Sequence, residues 1–234
     1  VSEKRLQAIK DFTELGSGFK IAMRDLSIRG AGNLLGAQQH GFIDSVGFDL
    51  YSQMLTEAVQ RKQGKNTQTE KTSVEIDLGI DAYLPTTYIE DERQKIEIYK
   101  RIRELETIDM LDELQDDLMD RFGEYPDEVA HLLAVGELKM NGDRALLERI
   151  RKQEQLITVV LSKVGTKAYT VEQLFKSLGH TKLKATLGVE KEQMHLKLTI
   201  PNGMKTMVWL HEVQSFVADL RKERYQTMKE KTTQ

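Results

Sequence analysis

Hydrophobic residues recur along this chain with two different periods, and the change of period divides it. Leu6, Ile9 and Phe12 fall at helical spacing, which predicts a helix over 4–15. Leu15-Gly16-Ser17-Gly18 stops it, because glycine tolerates the left-handed conformation that follows a helix end. Phe19 to Leu26 reads as a second short helix, ended by Gly30 and Gly32, and Asn33 to Gln39 as a helical turn closed at Gly41. Leu50, Met54, Leu55 and Ala58 share one face of a helix over 46–61. Residues 61–73 then carry no hydrophobic side chain, which marks 61–72 as a solvated linker between a unit at 1–60 and a domain at 73–234.

Past the linker the period falls to two. Val74, Ile76, Leu78 and Ile80 alternate with polar residues or glycine, predicting a strand over 73–80. The helical period returns at 91–106 and 109–122, the second with a stripe of Leu111, Leu114, Leu118 and Phe122. Pro126 suits the first position of a further helix running to about Ala145, with Asp127 and Glu128 near its positive end. Strands follow at 147–151 and 155–162, a short helix at 170–178, and a hairpin at 183–189 and 194–200. The last helix, over 204–226, buries Trp209, Val213, Phe216, Val217 and Leu220, and a frayed tail is expected beyond it. The expected fold class is therefore α+β: an N-terminal helical hairpin and linker, then a domain whose antiparallel sheet is flanked by helices.

Composition adjusts this picture little. A hydrophobic fraction of 39% permits a packed core, and a net charge of −3 advertises no global affinity for nucleic acid. The absence of cysteine excludes disulfides and thiolate metal sites, which suits a cytoplasmic protein. No apolar run is long enough for a membrane helix. The chain opens on VSEKRLQAIK, without an initiator Met and in mid-pattern, which leads us to expect a piece of a longer polypeptide. Between 90 and 128 fifteen acidic residues face six basic ones, so a long DNA contact there would be repelled; a solvated helical face is the simpler reading. From 151 to 191 eight basic residues face three acidic ones, read as a charged sheet face or a weak anion-binding surface.

Catalytic and metal chemistry finds no pattern. The glycines of Gly30-Ala31-Gly32-Asn33-Leu34-Leu35-Gly36 have GxGxxxG spacing without a preceding strand, so they are no dinucleotide loop. GxxxxGK followed by Ser or Thr is absent, and with it the P-loop way of holding a nucleotide. Histidines 40, 131, 180, 195 and 211 include no pair at metal-ligand spacing on a helix. Arg29 and Gln39 remain. Arg29 suits a phosphate or an acidic group on a neighbouring domain, or equally an ion pair with Asp25 four residues back. Gln39 suits a DNA backbone oxygen or an adjacent loop.

The opening stretch resembles the TRG motif, which is shared by RecG-type branch-migration helicases and the transcription-repair coupling factor (Mfd) family. The matching residues are Lys4-Arg5-Leu6, Leu15 to Phe19, Asp25-Leu26, Ile28 to Gly32, Leu34 to Gly36 and Gln39. Gly47-Phe48 with Leu50-Tyr51, then Leu84-Pro85, Tyr88-Ile89, Tyr99-Lys100-Arg101, and Asp120 to Gly123 with Pro126, resemble the coupling factors. That resemblance implies a non-catalytic C-terminal part of an ATP-driven double-stranded DNA translocase, which displaces stalled RNA polymerase and recruits the excision-repair protein UvrA. It gives Arg5, Arg29 and Gln39 the coupling of RecA-like motor lobes to DNA, with Gly30, Gly32, Gly36 and Gly41 as pivots. It gives the C-terminal domain the masking of the UvrA-binding module. ATP and Mg would belong to the longer parent. The alternatives are a RecG-type helicase fragment and a free-standing protein-interaction module.

Overall fold

The computed structural model describes residues 73–232. The expected helices at 4–15, 19–26 and 46–61, the turn at 33–39 and the linker at 61–72 therefore lie outside the described residues. The described residues divide into two units. One comprises Asp81–Glu104 and Asp112–Leu132; the other comprises Leu105–Leu111 together with 73–80 and 133–232.

In the first unit, Asp91 caps helix α1 (Glu92–Arg103), its carboxylate accepting from the amides of Arg93 at 2.8 Å and Gln94 at 3.1 Å. This is the role acidic residues take at a helix start, where backbone donors lack partners. Ile98, Tyr99 and Ile102 are buried on one face. The Tyr99 hydroxyl accepts the Leu84 amide at 2.8 Å, which anchors the segment leading into the helix. Lys95 is 1% exposed and donates to the Thr86 hydroxyl at 2.9 Å; burial lowers its pKa, with Glu92 opposing. Helix α2 (Ile108–Phe122) buries Leu114 and Leu118 and ends at Gly123, whose φ of +82° and bond to the Met119 carbonyl form a left-handed stop. The Tyr88 hydroxyl reinforces that stop by donating toward the carbonyls of Gly123 at 2.9 Å and Leu118 at 3.2 Å. Helix α3 (Asp127–Arg144) starts immediately after Pro126, whose carbonyl accepts from Val129 and Ala130.

The second unit holds a five-stranded sheet in the order β1-β2-β3-β5-β4, with β1 at Glu75–Asp77, β2 at Leu147–Gln153, β3 at Leu156–Leu161, β4 at Lys184–Glu190 and β5 at Gln193–Thr199. The expected antiparallel arrangement holds for β2-β3-β5-β4, while β1 joins in parallel, Ile76 opposite Ile150, and makes the sheet mixed. The strand expected over 73–80 forms a ladder only at 75–77. Val74, Ile76 and Leu78 are still buried in alternation, but Gly79, at φ +62°, turns the chain away. The β4–β5 hairpin turns on Lys191 and Glu192, both at positive φ, in the two-residue geometry that matches strand twist.

Helices α4 (Lys163–Ala168), α5 (Val171–His180) and α6 (Thr206–Thr232) complete this unit. Helix α5 carries a full capping box between Thr170 and Gln173. Helix α6 buries Trp209, Val213, Phe216, Val217 and Leu220 as expected, and runs to Thr232 where a frayed tail was expected past 226. Residues 133–142 of α3 show no single apolar stripe because they are enclosed on most sides, as a helix in the middle of a core is. Gly142 persists in that helix for a steric reason: a Cβ there would meet a Val74 methyl at 3.1 Å.

Helix α4 is the element the periodicity does not reveal. Ser162 caps it through the Gly165 amide at 3.0 Å, and the same hydroxyl donates to the Leu146 carbonyl at 2.9 Å. A Cβ on Gly165 would sit 2.5 Å from that carbonyl oxygen, a backbone atom that cannot step aside cheaply. Gly165→Ala is therefore expected to destabilise the protein by about 1–3 kcal/mol in urea denaturation. Gly188→Ala, whose Cβ would meet nothing within 4 Å, should change stability by less than about 0.5 kcal/mol.

Candidate functional site

The residues singled out in the sequence, Arg5, Arg29 and Gln39 with glycines 30, 32, 36 and 41, all lie outside the described residues. Among the described residues no group of three His, Asp or Glu side chains could hold a metal ion. Three of the histidines are engaged separately: His131 with the Asp81 carbonyl, His180 with Asp219, and His195 with Glu190. No helix among the described residues is long and apolar enough to cross a membrane. Two charged surfaces stand out instead, one in each unit.

The first lies on α2. Asp117 is gripped by Arg101 at 2.5 Å and Arg121 at 3.1 Å, and Arg121 also reaches Glu97 at 3.3 Å, so two arginines tie α1 to α2. The Arg101 hydrogen bond, helped by Arg121, holds the Asp117 carboxyl below the usual carboxylate range against a smaller opposing effect of burial. Asp112, Glu113, Asp116 and Asp120 are exposed on the same helix and have no ion-pair partner among the described residues; Met119, 44% exposed, lies beside them. The acidic excess read between 90 and 128 thus resolves into a partly exposed, neutralised ion-pair network and an unneutralised outer face.

The second lies in the other unit, where the end of α3 meets residues 218–226 of α6. A cleft of about 690 Å³ opens there, and its lining includes Arg144, Arg221, Lys222 and Arg224 but no carboxylate. Two of the four cations are held in place. Arg221 donates to the side-chain oxygen of Asn141 at 2.8 Å, which accounts for an asparagine only 3% exposed. Arg224 donates to the Arg144 carbonyl at 2.5 Å, satisfying a carbonyl at the helix end. The Arg144 and Lys222 side chains are exposed and have no ion-pair partner among the described residues. Sequence reading did not find this cleft. Its basic stretch at 151–191 falls on other elements, and Arg144 is 77 residues away from Arg221. The one local signal was the run Arg221-Lys222-Glu223-Arg224, three cations within four residues.

The TRCF domain family model matches residues 78–186. The transcription-repair-coupling factor of Bacillus subtilis (strain 168) is 49% identical over 229 residues, covering 97% of this chain and 19% of its own length. That of Staphylococcus aureus (strain USA300) is 53% identical over 202 residues, covering 86% of this chain and 17% of its own. The chain thus spans about a fifth of the length of the curated relatives it matches. The crystal structure of a C-terminal domain of transcription-repair coupling factor superposes with a TM-score of 0.63 at 38% identity, covering 66% of this chain and 95% of that one.

The arginine grip on Asp117 sets a pH dependence. A carboxyl whose folded pKa is depressed adds stability that is present above its unfolded pKa of about 3.9 and is lost as pH falls through the folded value. The pair is a third exposed, so the term is that of a surface network. Asp117→Asn should destabilise by about 0.5 kcal/mol at pH 7, and the difference from wild type should shrink in urea titrations as pH falls below the unfolded pKa of about 3.9 and through the depressed folded value.

Proposed function

The chain belongs to the transcription-repair coupling factor family and carries a domain similar to that family's C-terminal domain, and from that premise we propose that it forms the force-coupling and regulatory end of a double-stranded DNA translocase. The parent frees stalled RNA polymerase from DNA and recruits UvrA for excision repair in the cytoplasm. Residues 1–60 convert movement of RecA-like motor lobes into movement along DNA, with Arg5, Arg29 and Gln39 as polar tips and Gly30, Gly32, Gly36 and Gly41 as pivots. The domain from 73 onward is regulatory and masks the UvrA-binding module of the same polypeptide.

One observation carries this reading: the alignment to the Bacillus subtilis factor covers 97% of the chain, so it extends over the opening stretch as well as the domain. The RecG-type alternative has no comparable support. The chain has no P-loop sequence, so the motor's ATP and Mg would belong to the longer parent. The physical support for a regulatory role is the acidic outer face of α2, which offers unpaired charge to a basic partner surface. Masking asks only that the domain bind one state of its partner better than another.

Arg29→Ala and Gln39→Ala in the full-length protein are expected to slow translocation on duplex DNA by roughly tenfold or more while ATP hydrolysis continues, since a guanidinium fork on a phosphate is not replaceable. Unchanged translocation would refute the coupling role. Deleting 73–234 from the full-length protein should tighten UvrA binding by roughly 5–150-fold, the range of ordinary allosteric coupling, in a direct affinity titration. An unaltered affinity would remove the masking role.

A further inference from the structure

The cleft between α3 and α6 gathers four positive side chains without a lining carboxylate. Nearby acids lie outside the lining and are engaged mainly elsewhere, although Asp143 also attracts Arg144. Asp143 accepts the Val74 amide at 2.7 Å and lies 3.8 Å from Lys139, and Glu223 pairs with Lys176 at 3.1 Å. Clustered like charges repel one another, and a multivalent anion offsets that repulsion. Two of the guanidiniums are also pre-set. Each spends one donor on its own fold, Arg221 on Asn141 and Arg224 on the Arg144 carbonyl, out of five per arginine. Donors fixed before a ligand arrives lose little freedom on binding it, which raises affinity.

The rest of the lining is not that of a bare phosphate site. Ile108, 44% exposed, Ala218 and the ring of Tyr225, 61% exposed, also line the cleft. A volume of about 690 Å³ lies within the span of roughly 300–1,000 Å³ usual for small-molecule sites, which join apolar walls to a few convergent polar groups. Cations for phosphate, an aromatic ring and an aliphatic wall for a planar base are the chemistry that recognises a nucleotide.

We propose that this cleft binds a nucleotide, its phosphates held by Arg144, Arg221, Lys222 and Arg224 and its base resting against Tyr225 and Ile108. The site is separate from the ATP site proposed for the parent's motor, because the chain has no P-loop.

The test is isothermal titration of the whole 234-residue chain with ADP and, in parallel, with inorganic pyrophosphate. ADP is expected to bind with a Kd below about 1 mM, an affinity of roughly −4 kcal/mol that a shallow charged site supplies. Arg144→Gln and Lys222→Gln, both at exposed positions, should each weaken ADP binding by roughly threefold or more with an unchanged thermal melt, as loss of one charge contact does. Tyr225→Ala should weaken ADP but not pyrophosphate. Amide chemical shifts of the unaltered chain should move at the end of α3 and along 218–226 when ADP is added, which locates the site even if a variant melts early. No binding of either probe at millimolar concentration, or shifts confined to other elements, would overturn the site. Equal binding of pyrophosphate and ADP, with Tyr225→Ala inert, would overturn the assignment to a nucleotide.

Discussion

The last turn of α3 leaves backbone carbonyls that the helix itself cannot satisfy, and the second unit is built around meeting that demand. The Arg144 carbonyl accepts from Arg224, the Ala145 carbonyl from the Tyr169 hydroxyl at 2.7 Å, and the Leu146 carbonyl from both the amide and the hydroxyl of Ser162. Three successive acceptors thus take donors from α6, from the α4–α5 connection and from the start of α4. Two side chains just upstream accept as well, Asp143 receiving the Val74 amide and Asn141 receiving Arg221. A buried polar group left without its partner costs about 1–3 kcal/mol, more than a typical bond made contributes net, so the satisfaction of this one helix end fixes where four other elements stand. Tyr169 extends the tie by donating also toward the Leu220 carbonyl, and burial raises its pKa far enough that it remains a donor at every physiological pH.

The same junction explains the cationic cleft. Arg221 and Arg224 are where they are because α3 needs their donors, and their remaining charge then faces the opening. Asp143 offsets only part of it. Burial raises the Asp143 carboxyl, with the Val74 amide, Lys139 and Arg144 opposing, and the carboxylate stays outside the lining of the cleft, bonded to the Val74 amide. A requirement of folding has left behind an electrostatic feature, which is how a site can arise without any residue placed for it alone.

Legibility in the sequence followed the range of the interactions. The β4–β5 hairpin was readable because Met194, Leu196 and Leu198 alternate with polar residues within one strand. The end of α2 was readable because Gly123 both stops a helix and follows an apolar stripe. What escaped depends on distant partners. The strand over 73–80 shrank to 75–77 because its ladder is set by β2, which begins at Leu147, 72 residues beyond Glu75. Helix α4 has no apolar face to betray it, only a cap and a close contact with a loop. The cleft joins Arg144 to 221–224, a pairing no local window contains. The opening stretch presents the converse case: its motif was legible by resemblance, and the comparisons cover it, but its side-chain geometry lies outside the described residues.

On the reading proposed for the domain, rigidity at the α3 terminus has a further consequence. A masking domain must lose its partner in one state and keep it in the other, and it can do so by moving as a body or by melting locally. Opening the junction would free three carbonyls, a carboxylate and a buried asparagine together, so the local unfolding free energy there is far above that of a surface loop. The acidic face of α2, by contrast, is already exposed and needs no structural change to be offered or withdrawn. Differential contact at a preformed surface, a matter of 1–3 kcal/mol of coupling on typical scales, is therefore a cheaper switch than unfolding, and the charge left unpaired on α2 is where such a coupling would be felt.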